Sequence, residues 1–201
     1  LAEFEAAQMA EADRPPAHLN LGVVHEGQGK PEKAEQSYLT ALRMDADFLP
    51  ARVNLANLYN RMGRNADAER QLREGIARAP EEGELYYSLG LLLAEEKRMD
   101  ESADALGKAA ALLPDRARIN YNQGLVFQAL GRSAEAESAL LEGHRKDPSD
   151  PSIIQALVVH YANQGHWQQA LPFAEKLAAL VPGDSAAQEQ VGRIREEISR
   201  R

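Results

Sequence analysis

The chain has 201 residues, a formal net charge of −8, 44% hydrophobic and 5% aromatic content, and no cysteine. Lack of cysteine excludes disulfides, thiolate nucleophiles, cysteine-bound zinc and haem attachment within these residues, and the acidic balance argues against nucleic acid as a partner. The longest apolar stretches, such as Leu89 to Ala94, are far too short for membrane insertion, no signal peptide is visible, and the abundance of Ala and Leu favours helix.

In chain order, Leu1 opens directly into a helical pattern, which reads as a piece of a longer or processed chain. From Pro15 onward the chain repeats with a period of 34 residues, giving units 15–48, 49–82, 83–116, 117–150 and 151–184. Residues 185–201 then form a capping helix, and the whole is expected to be one continuous solenoid domain. Residues 1–14 match only the second helix of a truncated unit, with Phe4 where Tyr38 and Leu72 sit in theirs. Leu1 and Phe4 are therefore an expected assembly face, turned to solvent, a neighbouring domain or another copy.

Numbered from the start of each unit, the seventh place holds Leu21, Leu55, Leu89, Gln123 and Leu157. The eighth holds Gly22, Ala56, Gly90, Gly124 and, breaking the pattern, Val158. The eleventh holds His25, Tyr59, Leu93, Phe127 and Tyr161. Farther along stand Ala34, Ala68, Ser102, Ala136 and Ala170, and four residues later Tyr38, Leu72, Leu106, Leu140 and Ala174. A small side chain lets two helices approach and a large one fills the next gap, so each unit reads as a helical hairpin. Gly29, Gly63, Gly131 and Gly165 fall where the first helix ends on a left-handed residue, with Lys97 the exception. Pro31 suits the first turn of a second helix, Pro172 lies about a turn inside one, and Pro80, Pro114, Pro148 and Pro182 close their units. In the terminal helix Val191, Ile194 and Ile198 share one stripe, with charges on the remaining surface.

This pattern resembles the tetratricopeptide repeat family across residues 15–184. The family's tryptophan at the fourth place is absent; His18, Arg52, Tyr86, Asn120 and Ile154 stand there. The resemblance implies an all-α, right-handed superhelical solenoid of antiparallel helix pairs, with first helices lining a concave groove and a function of binding a peptide or helix of a partner protein.

Carried over place by place, the family's groove positions give an apolar set of Leu19, Val23, Val53, Tyr87, Leu91, Tyr121, Leu125 and Val159. These residues either anchor a partner or contact the next helix. Asn20, Asn54 and Asn122 share the sixth place, where primary amides either grip a peptide main chain or bond a neighbouring helix. The members that clamp chaperone C-terminal carboxylates use lysine, arginine and asparagine; Asn57, Arg118 and Asn122 match, but Val53 and Ser88 replace other clamp residues and the lysines are missing. Chaperone-tail binding is not expected.

No enzyme signature stands out: there is no phosphate-binding glycine loop, nucleophile elbow or metal-ligand spacing, so no catalytic residue, metal or cofactor is assigned. His160 and His166, six residues apart across a helix end, read as a surface pair. Trp167 opens a second helix at a position expected to pack between hairpins.

The runs AHLNLGVVHEGQGKPEKAEQSYLTAL, FLPARVNLANLYNRMGR and LYYSLGLLLAEEKR are also similar to the C-terminal repeat region of bacterial periplasmic multihaem c-type cytochromes. That likeness implies a docking or self-assembly module of a larger protein and tilts the compartment toward the periplasm. No haem ligand carries over, since the chain holds no Cys-x-x-Cys-His motif.

Overall fold

The structure, a computed structural model, describes residues 13–200. Leu1 and Phe4 lie outside the described residues. Among those described there are eleven α-helices and no strand: α1 (Pro15–Gly27), α2 (Pro31–Met44), α3 (Leu49–Arg61), α4 (Asn65–Arg78), α5 (Gly83–Glu95), α6 (Met99–Leu112), α7 (Ala117–Ala129), α8 (Ser133–Lys146), α9 (Pro151–Asn163), α10 (Trp167–Leu180) and α11 (Ser185–Ser199). The odd-numbered helices start at successive steps of 34 residues, and so do the even-numbered ones.

Each first helix but α5 ends on a left-handed glycine: φ is 67° at Gly29, 72° at Gly63, 71° at Gly131 and 70° at Gly165. The residue after each glycine turns its N–H back to the eleventh-place carbonyl, as Lys30 does to His25 at 2.9 Å and Arg64 to Tyr59 at 2.8 Å. This Schellman closure satisfies a carbonyl that the helix end would orphan. Lys97 takes the same conformation at φ 62° with a side chain attached. Aspartates cap α9 and α11, where Asp150 accepts from Ser152 and Ile153 and Asp184 from Ala186. The remaining helices start without a side-chain cap, and Pro stands in the first turn of α1, α2, α3 and α9.

Two compact units part between Glu96 and Lys97. The first holds the α1/α2 and α3/α4 hairpins and α5, with α2 on α3 and α4 on α5. In the second, α6 packs on α7, the hairpins α7/α8 and α9/α10 follow, and α11 lies on α10. Inside a hairpin the eighth place meets the side chain two turns into the second helix, and their sizes trade off. A Cβ on Gly22 would overlap the Tyr38 ring, and one on Gly124 would come within 2.7 Å of Leu140. Val158, the apparent break in the pattern, shares its core cluster with the small Ala174. That cluster joins Leu140, Ile153, Leu157 and Tyr161 to Ile194 of α11, with Val191 and Ile198 packed at its edge. Burying a leucine such as Leu140 or Leu157 contributes about 1.5–3 kcal/mol, so the stacking of neighbours stabilises helices this short.

Candidate functional site

From α3 to α9 the first helices spend their third, seventh, eighth, tenth and eleventh places on packing, which leaves the second, fifth, sixth, ninth, twelfth and thirteenth on the opposite stripe; in α1 the seventh-place Leu21 and tenth-place Val24 are exposed. In the first unit, α1 carries Leu19 half-buried and Asn20 and Val23 exposed, with Val23 at 51%. On α3, Val53 and Asn54 are half-buried and Asn57 is exposed; on α5, Tyr87 and Leu91 are half-buried. In the second unit, α7 carries Arg118 and Leu125 exposed and Tyr121 and Asn122 half-buried, and Val159 of α9 is exposed. None of these candidates is buried.

The asparagines differ in surroundings. Asn54 bonds the Tyr38 hydroxyl, and that hydroxyl donates in turn to Glu26. Burial pushes the Tyr38 phenol up, with the Asn54 bond opposing. Asn20 and Asn57 point outward instead. Arg118 lies over the Tyr121 ring at 4.7 Å and faces Asp150 at 3.8 Å, so its guanidinium shields one side of the phenol.

Polar side chains at the ends of the first helices tie neighbouring repeats together, a feature that the repeat pattern alone did not reveal. Glu26 of α1 pairs with Arg61 of α3, and Asn60 of α3 donates to Glu95 of α5 at 2.6 Å. In the second unit the Gln128 amide of α7 lies 3.3 Å from Nδ1 of His160 on α9. The only signal available was position, since Glu26, Asn60 and Gln128 all stand at the twelfth place. At the fourth place, where the family carries tryptophan, Arg52 is buried and donates to the Ala46 carbonyl at 2.8 Å and Gln71 at 3.1 Å. Asn120, also buried, accepts from Lys146 at 2.6 Å.

The histidine pair expected at the surface is corrected. His166 is exposed, but His160 is only 4% exposed, because its tenth place faces the preceding hairpin rather than solvent. Trp167 is half-buried against the core cluster of the second unit, its indole Nε1 enclosed. It walls a groove of about 520 Å³ between α9 and α11, with Val159, Asn163, Arg193 and Ile194 among its lining. No group of three or more potential metal ligands occurs among the described residues, and no described helix is long and apolar enough to cross a membrane.

Two tetratricopeptide repeat models match the chain, one over residues 27–90 and the other over 1–47 and 102–151, together more than half its length. The chain belongs to the tetratricopeptide repeat family. Among solved structures, this repeat protein is similar to MamA (22% identity, TM-score 0.72, covering 84% of this chain and 92% of that one). It is likewise similar to PilF of Pseudomonas aeruginosa (20%, TM-score 0.75, covering 92% and 90%). YrrB, described as a tetratricopeptide protein with an unusual peptide-binding site, aligns at 20% identity and TM-score 0.69 over 92% of this chain and 96% of its own. At these identities the likeness shows the repeat fold. No curated protein matches the chain.

Proposed function

We propose that this repeat protein is a non-enzymatic interaction scaffold whose first helices hold a peptide or helix of a partner protein. The observation that carries the reading is the ninth place, where Leu125 and Val159 each remain 37% exposed while the packing places of α7 and α9 bury apolar side chains around them; Val23, at the same place of α1, is 51% exposed. Apolar side chains left in solvent at one helical position offer a surface that an apolar partner segment can desolvate. Tyr87 and Tyr121 add half-buried aromatic rings at the fifth place, a residue type favoured as an interface anchor. The peptide-binding site named for YrrB supports the same use of the fold.

The test is a comparison of partner recovery by the wild-type chain and by Leu125→Arg/Val159→Arg and Tyr87→Ala/Tyr121→Ala variants. Loss of one specific bound protein with unchanged circular dichroism supports the reading. Recovery unchanged in both variants overturns it.

A second reading, docking onto a parent protein or another copy, is favoured by α1. Leu21 and Val24 are 45% and 52% exposed, whereas Leu55 and Leu58 at the same places in α3 are buried. Light scattering over a dilution series of wild type and Leu21→Asp/Val24→Asp distinguishes it, since concentration-dependent association lost in the variant is its signature.

A further inference from the structure

His160 occupies the tenth place of α9, where α3 has Leu58, α5 has Leu92 and α7 has Val126, all buried. An ionisable ring has thus replaced an aliphatic side chain inside the junction of two hairpins. Gln164, just beyond α9, brings its amide nitrogen 2.7 Å from ring Nε2 and donates from the same nitrogen to the His160 carbonyl at 3.1 Å. That second bond fixes the Gln164 nitrogen as the donor, so Nε2 accepts and the neutral ring carries its proton on Nδ1. Nδ1 lies 3.3 Å from the Gln128 amide nitrogen of α7, and turning that amide by half a rotation, which exchanges its nitrogen and oxygen, gives the Nδ1 proton its acceptor. Beside the ring is a polar recess of about 220 Å³ lined by Gln128, Ser133, Asn163 and Gln164.

We propose that His160 is a pH-sensitive latch between the α7/α8 and α9/α10 hairpins: neutral, it bonds both amides; protonated, it denies Gln164 its acceptor and puts a cation into a buried junction. The groups facing it set the balance. From α7 it meets the uncharged Gln128, and from α9 itself the Tyr161 ring at 5.5 Å, edge-on. Glu137 of α8 favours the cation, and His166 at the head of α10 opposes it. Burial is the largest influence and holds the ring below the ordinary histidine range.

A histidine depressed in the folded chain takes its proton more readily when unfolded, so stability present above pH of about 6.5 declines as the pH falls below that value. The α7 and α9 stripes that this junction spaces carry Leu125 and Val159, so loosening it alters the proposed binding face. Only that last consequence rests on the scaffold reading.

The experiment is urea unfolding of the full chain at about pH 7.5 and about pH 5.5, spanning the histidine range, for wild type, His160→Leu, His160→Gln and His144→Ala, with an NMR titration of the imidazoles. His144 serves as the comparison because burial, then Lys176, depresses it too. The wild-type midpoint falls on acidification, both His160 variants lose more than half of that fall, and His144→Ala keeps more than half. His160→Gln keeps the test decisive should His160→Leu fail to fold. A full acid-side fall in both His160 variants, or an ordinary His160 titration, overturns the latch. Stability is read without any partner, so failure of the groove reading and failure of the latch are separate results.

Discussion

The Tyr59 hydroxyl donates to Oε1 of Glu35 over 2.8 Å, joining the eleventh place of one repeat to the second helix of the repeat before it. Tyr161 makes the same bond to Glu137, at the same 2.8 Å and the same separation of 24 residues. In the first unit Arg64 completes the arrangement, donating to both Glu35 oxygens and lying 4.1 Å from the Tyr59 ring centroid. In the two units with tyrosine at the eleventh place, a hydrogen bond therefore joins hairpins that the apolar core already packs together.

Both phenols are pushed up to about 12, chiefly by burial and then by the carboxylate they donate to. The unfolded chain ionises its tyrosines near pH 10, so stability that is constant below that value is lost between about 10 and about 12. Tyr59→Phe and Tyr161→Phe each lower stability by about 1 kcal/mol at neutral pH and flatten the alkaline decline. Urea midpoints at neutral and alkaline pH check both, and a decline unchanged in the double variant contradicts the assignment.

The size exchange between the eighth place and the second helix predicts non-additivity. Gly124→Val costs about 1–3 kcal/mol, since the added atoms meet Leu140 within 2.7 Å. Leu140→Ala costs about 2–5 kcal/mol through the cavity it leaves. The double variant recreates the Val158 and Ala174 pairing and costs less than the sum. A double-mutant cycle measures the coupling, and strict additivity contradicts the packing account.

Lys97 holds a left-handed backbone at φ 62° where four other turns use glycine. Lys97→Gly relieves that strain and raises stability by about 1 kcal/mol. Thermal unfolding reads it as an increase in Tm; a decrease means that the lysine side chain contributes more than its backbone costs.

Asn54 and its sixth-place neighbour Asn20 separate by role. Asn54→Ala breaks the bond to Tyr38 and lowers stability by about 1 kcal/mol. Asn20→Ala, at an exposed position, changes stability by less than about 0.5 kcal/mol and acts on partner affinity alone. Parallel unfolding and binding titrations distinguish the two residues.

Much of this fold was legible because the period acts at every level. Glycine at Gly29, Gly63, Gly131 and Gly165, small residues at the hairpin crossing and proline after the second helix each restrict the backbone locally, and all agree on one register. Val158 looked like a break only because the eighth place was read alone; its partner Ala174 is the compensation. His160 was misread because spacing along the chain says nothing about which neighbour a side chain faces, and burial at the tenth place follows from the stacking of hairpins. The bridges from Glu26 to Arg61 and from Asn60 to Glu95 were hidden for a related reason, since long polar side chains meet only once the angle between two helices is set. For the proposed binding positions, helical spacing defines the stripe on each first helix, and the structure adds which members are exposed and which, like Asn54, are engaged.

The scaffold reading is tested most directly by site-specific photo-crosslinking in cells. A photoreactive residue is placed in turn at Val23, Leu125 and Val159 on the first helices, and at the exposed Arg70, Ser138 and Glu175 on second helices. Mass spectrometry then identifies the adducts. The account predicts one partner protein crosslinked from the first-helix positions and absent from the second-helix positions. The same partner captured equally from both sets, or from the second helices alone, contradicts it.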